Sequence, residues 1–562
     1  MGSFYIEAPG LQNPEELKKK LDELLDMPVH SAEELKAVLL KQSSFFDKVE
    51  ELLTGHYIQF QRNNSDQKAK EQFEHDQETL LPILKDYEAK LDEAFYNSPY
   101  REKLDASFGL FSKSKRNAIE LFRRENIPLE VEEDRLNTRY FEITGGMTVT
   151  WDGKEKTLSQ MQMFLQNPDR TIRETAWKAI QQEMLSYKDD LQEIMDRLIE
   201  IRQEKARNAG LDNYRDYMFK KYERYSYTPE DCYELASAVR EHVVPLKEKL
   251  DHAHREKLGV DTYRPWDTEA VLPGEQPLKP VDSTDQLVSG SIMIFKQLDP
   301  AFAHLVETMS AEGLLDLDSR KNKSPGGFCS ELPLTGLSFI FMNAANTHDD
   351  VVTFLHEMGH CIHNDMKKDI ELNKYRETPM ESSELASMAM ELFTMDYWDM
   401  FYSTEEELKR AKREQLEGII RFLPWGVTID QFQHWMYENP DHSTDERNSK
   451  FFELAGSLSA SAVNWAGYEE ELRNRWLRQL HIFEVPFYYI EYVIAQLGAV
   501  QLYRLFKEDK AAALAGYRKA LSLGNSVSLQ EVYEAAGIRF DFTAGMVKDL
   551  MAFMQEELAA LS

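Results

Sequence analysis

Three histidines and a glutamate fall within the segment FLHEMGHCIH, residues 354–363. The chain has only 14 histidines in 562 residues, so this local density calls for an explanation. Residues four apart lie on one face of a helix. His356 and His360 would therefore present their imidazoles side by side, at the separation needed to bind one metal ion. Imidazole suits Zn²⁺, and the spacing predicts a zinc site.

Glu357 follows the first of these histidines and completes the pattern H-E-x-x-H. In this arrangement the histidines bind the metal, and the glutamate is the general base for a water that the metal activates. The surrounding sequence predicts the helix that the pattern requires. Thr347 is a good N-cap with Asp350 three residues later, and an apolar stripe follows. His363 fits a supporting or structural role as well as a catalytic one.

A catalytic zinc ion uses three protein ligands and keeps one position open. The residues after the motif offer no third histidine at a suitable spacing. Four glutamates recur there at helical offsets, namely Glu377, Glu381, Glu384 and Glu391. A helix packed on the metal helix would supply one as a ligand and another as a supporting acid. The spacing alone does not choose among them.

Composition and charge exclude several classes of function. Apolar residues make up 42% of the chain and charged residues 29%, which is typical of a globular protein. The formal net charge of -32 disfavours binding to nucleic acid or to anionic membranes. The N-terminus lacks the features of a signal peptide, and no stretch has the roughly 20 apolar residues of a membrane span. The three cysteines form no C-x-x-C pair and fit a reducing compartment, so a cytoplasmic location is expected.

Most of the chain has helical periodicity. Asn13 and Thr228, each followed by proline, predict helix starts. One long helix is predicted over residues 173–210, ending at Gly210. Strand signals are confined to residues 140–158 and 326–343, each predicted to form a hairpin.

The sequence predicts two domains. Residues 1–190 are predicted to form a helical lobe with one hairpin. Residues 191–562 contain the metal motif and are predicted to form the catalytic domain.

Three segments together resemble a known family: HEMGHCIH, SSELASMAMELF (382–393) and HIFEVPFYYIEY (481–492). They look like the M3 metallopeptidases, the thimet oligopeptidase family, and most closely the oligoendopeptidase F branch. The resemblance extends over much of the chain after about residue 200 and is weaker before it. It implies a mainly α, zincin-type fold. This fold is an elongated two-lobed helical body with a deep substrate channel and a small β-sheet near the zinc site.

The resemblance also implies roles for particular residues. The third zinc ligand falls on Glu384. Glu391 then supports the ligands without binding the metal itself. One Zn²⁺ per chain is implied. Near the C-terminus, His481, Tyr488 and Tyr492 match residues that lie over the substrate and stabilise the developing oxyanion. Tyr489 is an alternative to either tyrosine, because Ile490 and Glu491 depart from the commoner family wording.

The implied function is a zinc-dependent endopeptidase that cuts short oligopeptides. Gly326, Gly327 and Phe328 begin a strand whose edge could pair with an extended peptide, although a plain structural hairpin explains them equally well. The runner-up is a peptidyl-dipeptidase or metallocarboxypeptidase of similar helical fold. A binding scaffold without catalysis is the alternative from another class, and the intact ligands and Glu357 argue against it.

Overall fold

The computed structural model describes residues 10–459 and 461–561. The chain forms two compact units, each assembled from separate segments. The first unit comprises the chain up to Glu120, Leu278–Ala411 and Ala495–Phe540. The second unit comprises Leu121–Pro277, Lys412–Ile494 and the chain from Asp541 onward. The domain division expected at residue 190 stays a prediction.

Helices dominate the described residues, and the strands are few and short. The α-helices are α1 Pro14–Leu25, α2 Ala32–Arg62, α3 Gln67–His75, α4 Leu81–Tyr96, α5 Gly109–Leu121, α6 Ile127–Gly146, α7 Leu158–Gln162, α8 Arg170–Ser186, α9 Lys188–Asn208, α10 Tyr214–Lys221, α11 Pro229–His242, α12 Val244–Leu258, α13 Thr284–Leu298, α14 Pro300–Ala311, α15 His348–Lys367, α16 Asn373–Arg376, α17 Met380–Thr394, α18 Glu405–Glu438, α19 Thr444–Leu458, α20 Glu469–Arg473, α21 Leu480–Glu484, α22 Tyr489–Glu508, α23 Lys510–Leu521, α24 Leu529–Ala535 and α25 Ala544–Ala560. The strands are β1 Thr148–Trp151, β2 Lys154–Thr157, β3 Leu315–Asp318, β4 Phe328–Leu332 and β5 Leu337–Ala344. None of the helices formed by the described residues is long and apolar enough to cross a lipid bilayer.

The predicted helix starts are confirmed. The Asn13 side chain accepts hydrogen bonds from two backbone N–H groups in the first turn of α1. Thr228 and Thr347 form reciprocal capping boxes at the starts of α11 and α15. These caps satisfy backbone donors that a helix start otherwise leaves without partners.

The hairpin predicted for residues 140–158 is wrong in its first part. Helix α6 continues to Gly146, and only β1 and β2 pair. Packing explains the difference, since Tyr140 stacks on Phe483 with ring centroids 4.1 Å apart. The Tyr140 hydroxyl also donates to the Leu477 carbonyl at 3.1 Å. These tertiary contacts outweigh the strand propensity of the segment.

The single helix predicted over residues 173–210 is in fact two helices. Helix α8 ends at Ser186 and α9 begins at Lys188, with Tyr187 between them. The predicted end at Gly210 is close to the observed one. Gly210 has the positive φ of 77° typical of a glycine that follows a helix.

The first unit contains a three-stranded sheet in the order β3–β5–β4. Strands β4 and β5 form the antiparallel hairpin that the sequence predicts for residues 326–343. The central strand β5 is buried, and β4 lies at an edge of the sheet. Phe328 of β4 stacks on Phe341 of β5, with ring centroids 4.7 Å apart.

Strand β3 was not predicted from the sequence. It pairs parallel to β5 and carries Asp316, which is buried. Burial opposes ionisation of this carboxyl, but hydrogen bonds from Arg320, Lys323 and Arg62 outweigh burial and hold its pKa well below the usual range. A four-residue strand that contains a carboxylate cannot be predicted from its own sequence, because the sequence does not show which cations surround the carboxylate.

In the second unit, the buried Arg202 connects distant parts of the chain. Its guanidinium pairs with Glu133 at 2.7 Å, and donates to the Tyr437 hydroxyl at 2.7 Å and to the Ile482 carbonyl at 3.0 Å. Burial opposes ionisation of Glu133, but Arg202 and Lys205 outweigh it and lower the carboxyl pKa to about 2. This network fixes the short helix α21.

Candidate metal centre

Helix α15 presents the two predicted histidine ligands. Its buried stripe, which includes Val351, Leu355 and Met358, packs into the first unit. This packing aims a different face of the helix, with His356 and His360, at α17. The two imidazole rings have centroids 4.9 Å apart.

A glycine allows α17 to approach α15 closely. A Cβ atom at Gly359 would lie 2.5 Å from the Cα of Ser387 and 2.7 Å from the carbonyl oxygen of Ala386. Both distances are far below van der Waals contact, so the two helix backbones touch here. The contact between Gly359 and Ser387 was not predicted from the sequence, although a small residue inside the metal motif is a signal that could have indicated it.

This approach brings Glu384 to the histidines. Its Oε2 atom lies 3.3 Å from His356 Nε2 and 3.7 Å from His360 Nε2. Zinc bonds of about 2.0–2.2 Å in a tetrahedron imply donor separations of about 3.3–3.6 Å. The three residues therefore fit a zinc ion. A group of three ligands leaves a fourth position for water or substrate.

The other glutamates of this segment differ in placement. Glu377 follows α16, is exposed and pairs with Lys374, so it does not share a helix face with Glu384. Glu391 lies on α17, and its Oε1 atom is 2.6 Å from His356 Nδ1. Ser387 Oγ donates to Glu384 Oε2 at 3.0 Å. Such contacts fix the orientation of ligand side chains.

We expect Glu391→Gln to weaken metal binding by about 10- to 100-fold, because an amide is a poorer partner for a ligand imidazole. Competition with a chromophoric chelator measures this affinity. Glu371→Gln, at an exposed residue outside the cluster, is the matched control. An affinity unchanged in Glu391→Gln would show that the contact does not support the ligand.

The electrostatics of the cluster favour a cation. Burial lowers the pKa of His360 to about 4, so this imidazole is neutral at pH 7. Burial opposes ionisation of Glu384 as well, but His360 and His356 outweigh it and lower the carboxyl pKa to about 2. At His356 the carboxylates of Glu384 and Glu391 outweigh burial and raise the pKa well above its usual range. The negative field that they create would also hold a metal ion.

Glu357 is buried beside this cluster. Burial raises its pKa to about 7, and the positive charge of His356 only partly offsets this effect. A carboxyl group that titrates near neutrality can both accept and return a proton.

His363 is also buried, and burial lowers its pKa well below the usual range. It lies outside the group formed by His356, His360 and Glu384. Its supporting role therefore stays a prediction.

The predicted substrate residues lie on the same unit. Gly326 has a φ of 95°, and Asn343 Nδ2 donates to its carbonyl at 2.9 Å. A Cβ atom at Gly327 would lie 3.3 Å from the Phe341 carbonyl oxygen. The glycines thus let the chain enter β4 close to β5, and Phe328 is only partly buried.

The predicted C-terminal residues belong to the second unit and lie together. The His481 ring has its centroid 4.8 Å from that of Tyr489 and 5.7 Å from that of Tyr492. The centroids of Tyr488 and Tyr492 are 5.1 Å apart. Gln479 Nε2 lies 2.8 Å from His481 Nδ1. All three tyrosines therefore share one cluster with His481.

The unusual residue Glu491 has a structural explanation. Its side chain is buried and pairs with Arg224 at 2.7 Å. Arg224 also donates to the Phe487 carbonyl. Phe487 has a positive φ of 67°, which is rare for an aromatic residue. The ion pair thus secures the turn that leads into α22 and its tyrosines.

The chain is similar to several known proteins. The family model for peptidase family M3 matches residues 163–552, and that for the peptidase M3 N-terminal domain matches residues 11–122. An oligoendopeptidase F homolog from Lactococcus lactis subsp. lactis (strain IL1403) is 21% identical over 483 residues, covering 82% of this chain and 74% of that protein. The structure of Pz peptidase A with inhibitor 2 has a TM-score of 0.90 at 26% identity, covering 98% of this chain and 97% of that one. A structure that bears the name oligoendopeptidase F has a TM-score of 0.91 at the same identity and coverage.

Proposed function

Because the chain belongs to peptidase family M3 and is a metallopeptidase similar to oligoendopeptidase F, we propose that it is a zinc-dependent endopeptidase acting on short oligopeptides. One observation supports this most strongly. Two imidazoles from α15 and a carboxylate from α17 converge at distances that suit Zn²⁺, and α15 also carries the buried carboxyl group of Glu357.

The proposed chemistry divides between the metal and the chain. Zinc held by His356, His360 and Glu384 would polarise the peptide carbonyl and acidify a water. Glu357, which is buried beside the ligands, accepts the proton of the attacking water and returns it to the leaving amine. Glu391 keeps the His356 ring oriented throughout.

The peptide is proposed to bind along β4. This strand lies at an edge of its sheet, and its first four residues are only partly buried. An extended peptide can add to such an edge through main-chain hydrogen bonds, which hold the backbone with little demand on side-chain identity. Gly326 and Gly327 add no side chains that would obstruct its approach.

His481 and the neighbouring tyrosines are proposed to donate hydrogen bonds to the substrate. This role comes from the resemblance of the segment HIFEVPFYYIEY to the family. The hydroxyls of Tyr488 and Tyr492 and the imidazole of His481 are the donors. Burial raises the pKa of Tyr489 to about 12, so its hydroxyl also remains protonated and able to donate.

A quenched fluorescent peptide, blocked at both ends, tests this function. We expect internal cleavage, identified by the masses of the products. A chelator should abolish the cleavage, and added Zn²⁺ should restore it.

Each alternative predicts a different result. A peptidyl-dipeptidase or carboxypeptidase would cut only the version of the peptide with an unblocked C-terminus. A binding scaffold would cut neither version, and this result with metal-loaded protein would refute the proposal.

A further inference from the structure

The second unit contains another buried group of side chains that could hold a metal ion, formed by Cys232 of α11 with Asp430 and His434 of α18. One ligand atom from each residue lies within 4.8 Å of the other two. All three residues have an exposed fraction of 0%. His434 Nε2 is 3.3 Å from Asp430 Oδ2.

Three polar atoms of Asp430 and His434 lack the hydrogen bonds that burial requires. Among the described residues, neither ring nitrogen of His434 has a hydrogen-bond partner, and neither does Oδ1 of Asp430. The other oxygen of Asp430 accepts one bond, from Gln431 Nε2 at 3.1 Å. Buried polar groups in proteins are almost always hydrogen-bonded, so three such atoms in one place call for a compensating ligand.

The surroundings make this need stronger. The His434 ring lies among aromatic rings, with centroid distances of 4.9 Å to Tyr233, 5.3 Å to Phe487 and 6.0 Å to Phe219. A carboxylate in such an apolar environment loses its hydration and must be neutralised nearby.

We propose that Cys232, Asp430 and His434 bind a second, structural Zn²⁺ ion. Thiolate, imidazole and carboxylate are the three ligand types that proteins use for zinc. The 3.3 Å between His434 Nε2 and Asp430 Oδ2 is one edge of a zinc tetrahedron, for which bonds of about 2.0–2.1 Å predict about 3.3 Å. Sulfur and nitrogen ligands exclude the hard ions Ca²⁺ and Mg²⁺.

The charges balance when zinc binds. The Cys232 thiol loses its proton to solvent, and the thiolate and the Asp430 carboxylate together neutralise the two positive charges of the ion. A neutral assembly is the form that a buried site tolerates best. A backbone carbonyl or a water molecule completes the tetrahedron.

The role of this ion is to join two helices. Cys232 and His434 are separated by 201 intervening residues, so neither neighbours the other in sequence. Because all three ligands are fully buried, substrate has no access to the ion. The site shares no residue with the His356, His360 and Glu384 centre, and its role is structural rather than catalytic.

Cobalt substitution tests the proposal. Co²⁺ bound by a thiolate gives a charge-transfer absorption in the near ultraviolet, which nitrogen and oxygen ligands do not give. The His356, His360 and Glu384 centre has no cysteine ligand. We therefore expect the full chain loaded with Co²⁺ to show this band. The band should persist in the His356→Ala/His360→Ala variant and disappear in Cys232→Ser.

Zinc content gives a second measurement. The wild-type chain should retain two zinc ions, and Cys232→Ser and His434→Gln should each retain one while circular dichroism confirms their helical content. A wild-type chain that holds one metal ion and shows no thiolate band would overturn the proposal, whether or not the variants fold. That result would leave the peptidase function intact, because peptide cleavage and its chelator sensitivity are measured independently.

Discussion

Glu357→Gln should retain zinc and lose turnover by a factor on the order of 10²–10⁴. The glutamine amide is nearly the same size as the carboxylate but cannot accept the proton of the attacking water. Zinc content should not change, because Glu357 is outside the group of three ligand atoms. Turnover of the end-blocked peptide and metal analysis of the same sample measure the two quantities.

The matched control for this change is Glu377→Gln. Glu377 is exposed and its contact is an ion pair with Lys374, so turnover should stay close to that of the wild type. Near-normal turnover in Glu357→Gln would refute the role of this residue as general base.

Gly359→Ala should lower stability, zinc content and turnover together, whereas the loss of one supporting contact should mainly weaken metal binding. The added methyl would lie 2.5 Å from the Ser387 Cα, so α15 and α17 must move apart. Overpacking of this kind costs about 1–3 kcal/mol of stability. A shift of about 1 Å in a catalytic group can lower the rate about 10²-fold. Thermal unfolding, zinc content and turnover should all decrease.

Gly418→Ala makes the same chemical change where there is room for it. Gly418 is exposed on α18, and a Cβ atom there would have no neighbour within 4 Å. This variant should be as stable as the wild type or more stable by about 0.5–1 kcal/mol, because alanine favours the helix. If Gly359→Ala kept its zinc and its turnover, backbone contact could not be what sets the ligand distances.

The metal helix could be predicted because its signals are local. The spacing of His356 and His360, the Thr347 cap and the apolar stripe all lie within one turn or a few turns of each other. The choice of Glu384 could not be made from spacing, since it depends on how closely α17 approaches α15. That distance is set by Gly359 against Ser387, a contact between segments that the sequence does not show to be neighbours.

The errors in the fold have the same origin. Tyr140 lies in a segment of strand-like composition, but its ring packs on Phe483, more than 300 residues later. Asp316 makes the β3 segment resemble a loop in sequence. Its burial in a strand is explained by its contacts with Arg62 and Lys323. The buried group of Cys232, Asp430 and His434 was missed because its cysteine and histidine come from remote helices. Each of these features depends on contacts between residues far apart in the chain, and a single sequence does not reveal such contacts.

The close contact of α15 and α17 holds two nitrogen donors and one oxygen donor together, and this donor set bears on which cations could bind. Mg²⁺ requires near-octahedral coordination, and Ca²⁺ takes six to eight oxygen atoms. In the proposed centre two of the three donors are nitrogen atoms, which these hard ions disfavour. The proposed centre would therefore discriminate by donor type as well as by coordination number, in favour of zinc over Mg²⁺ and Ca²⁺.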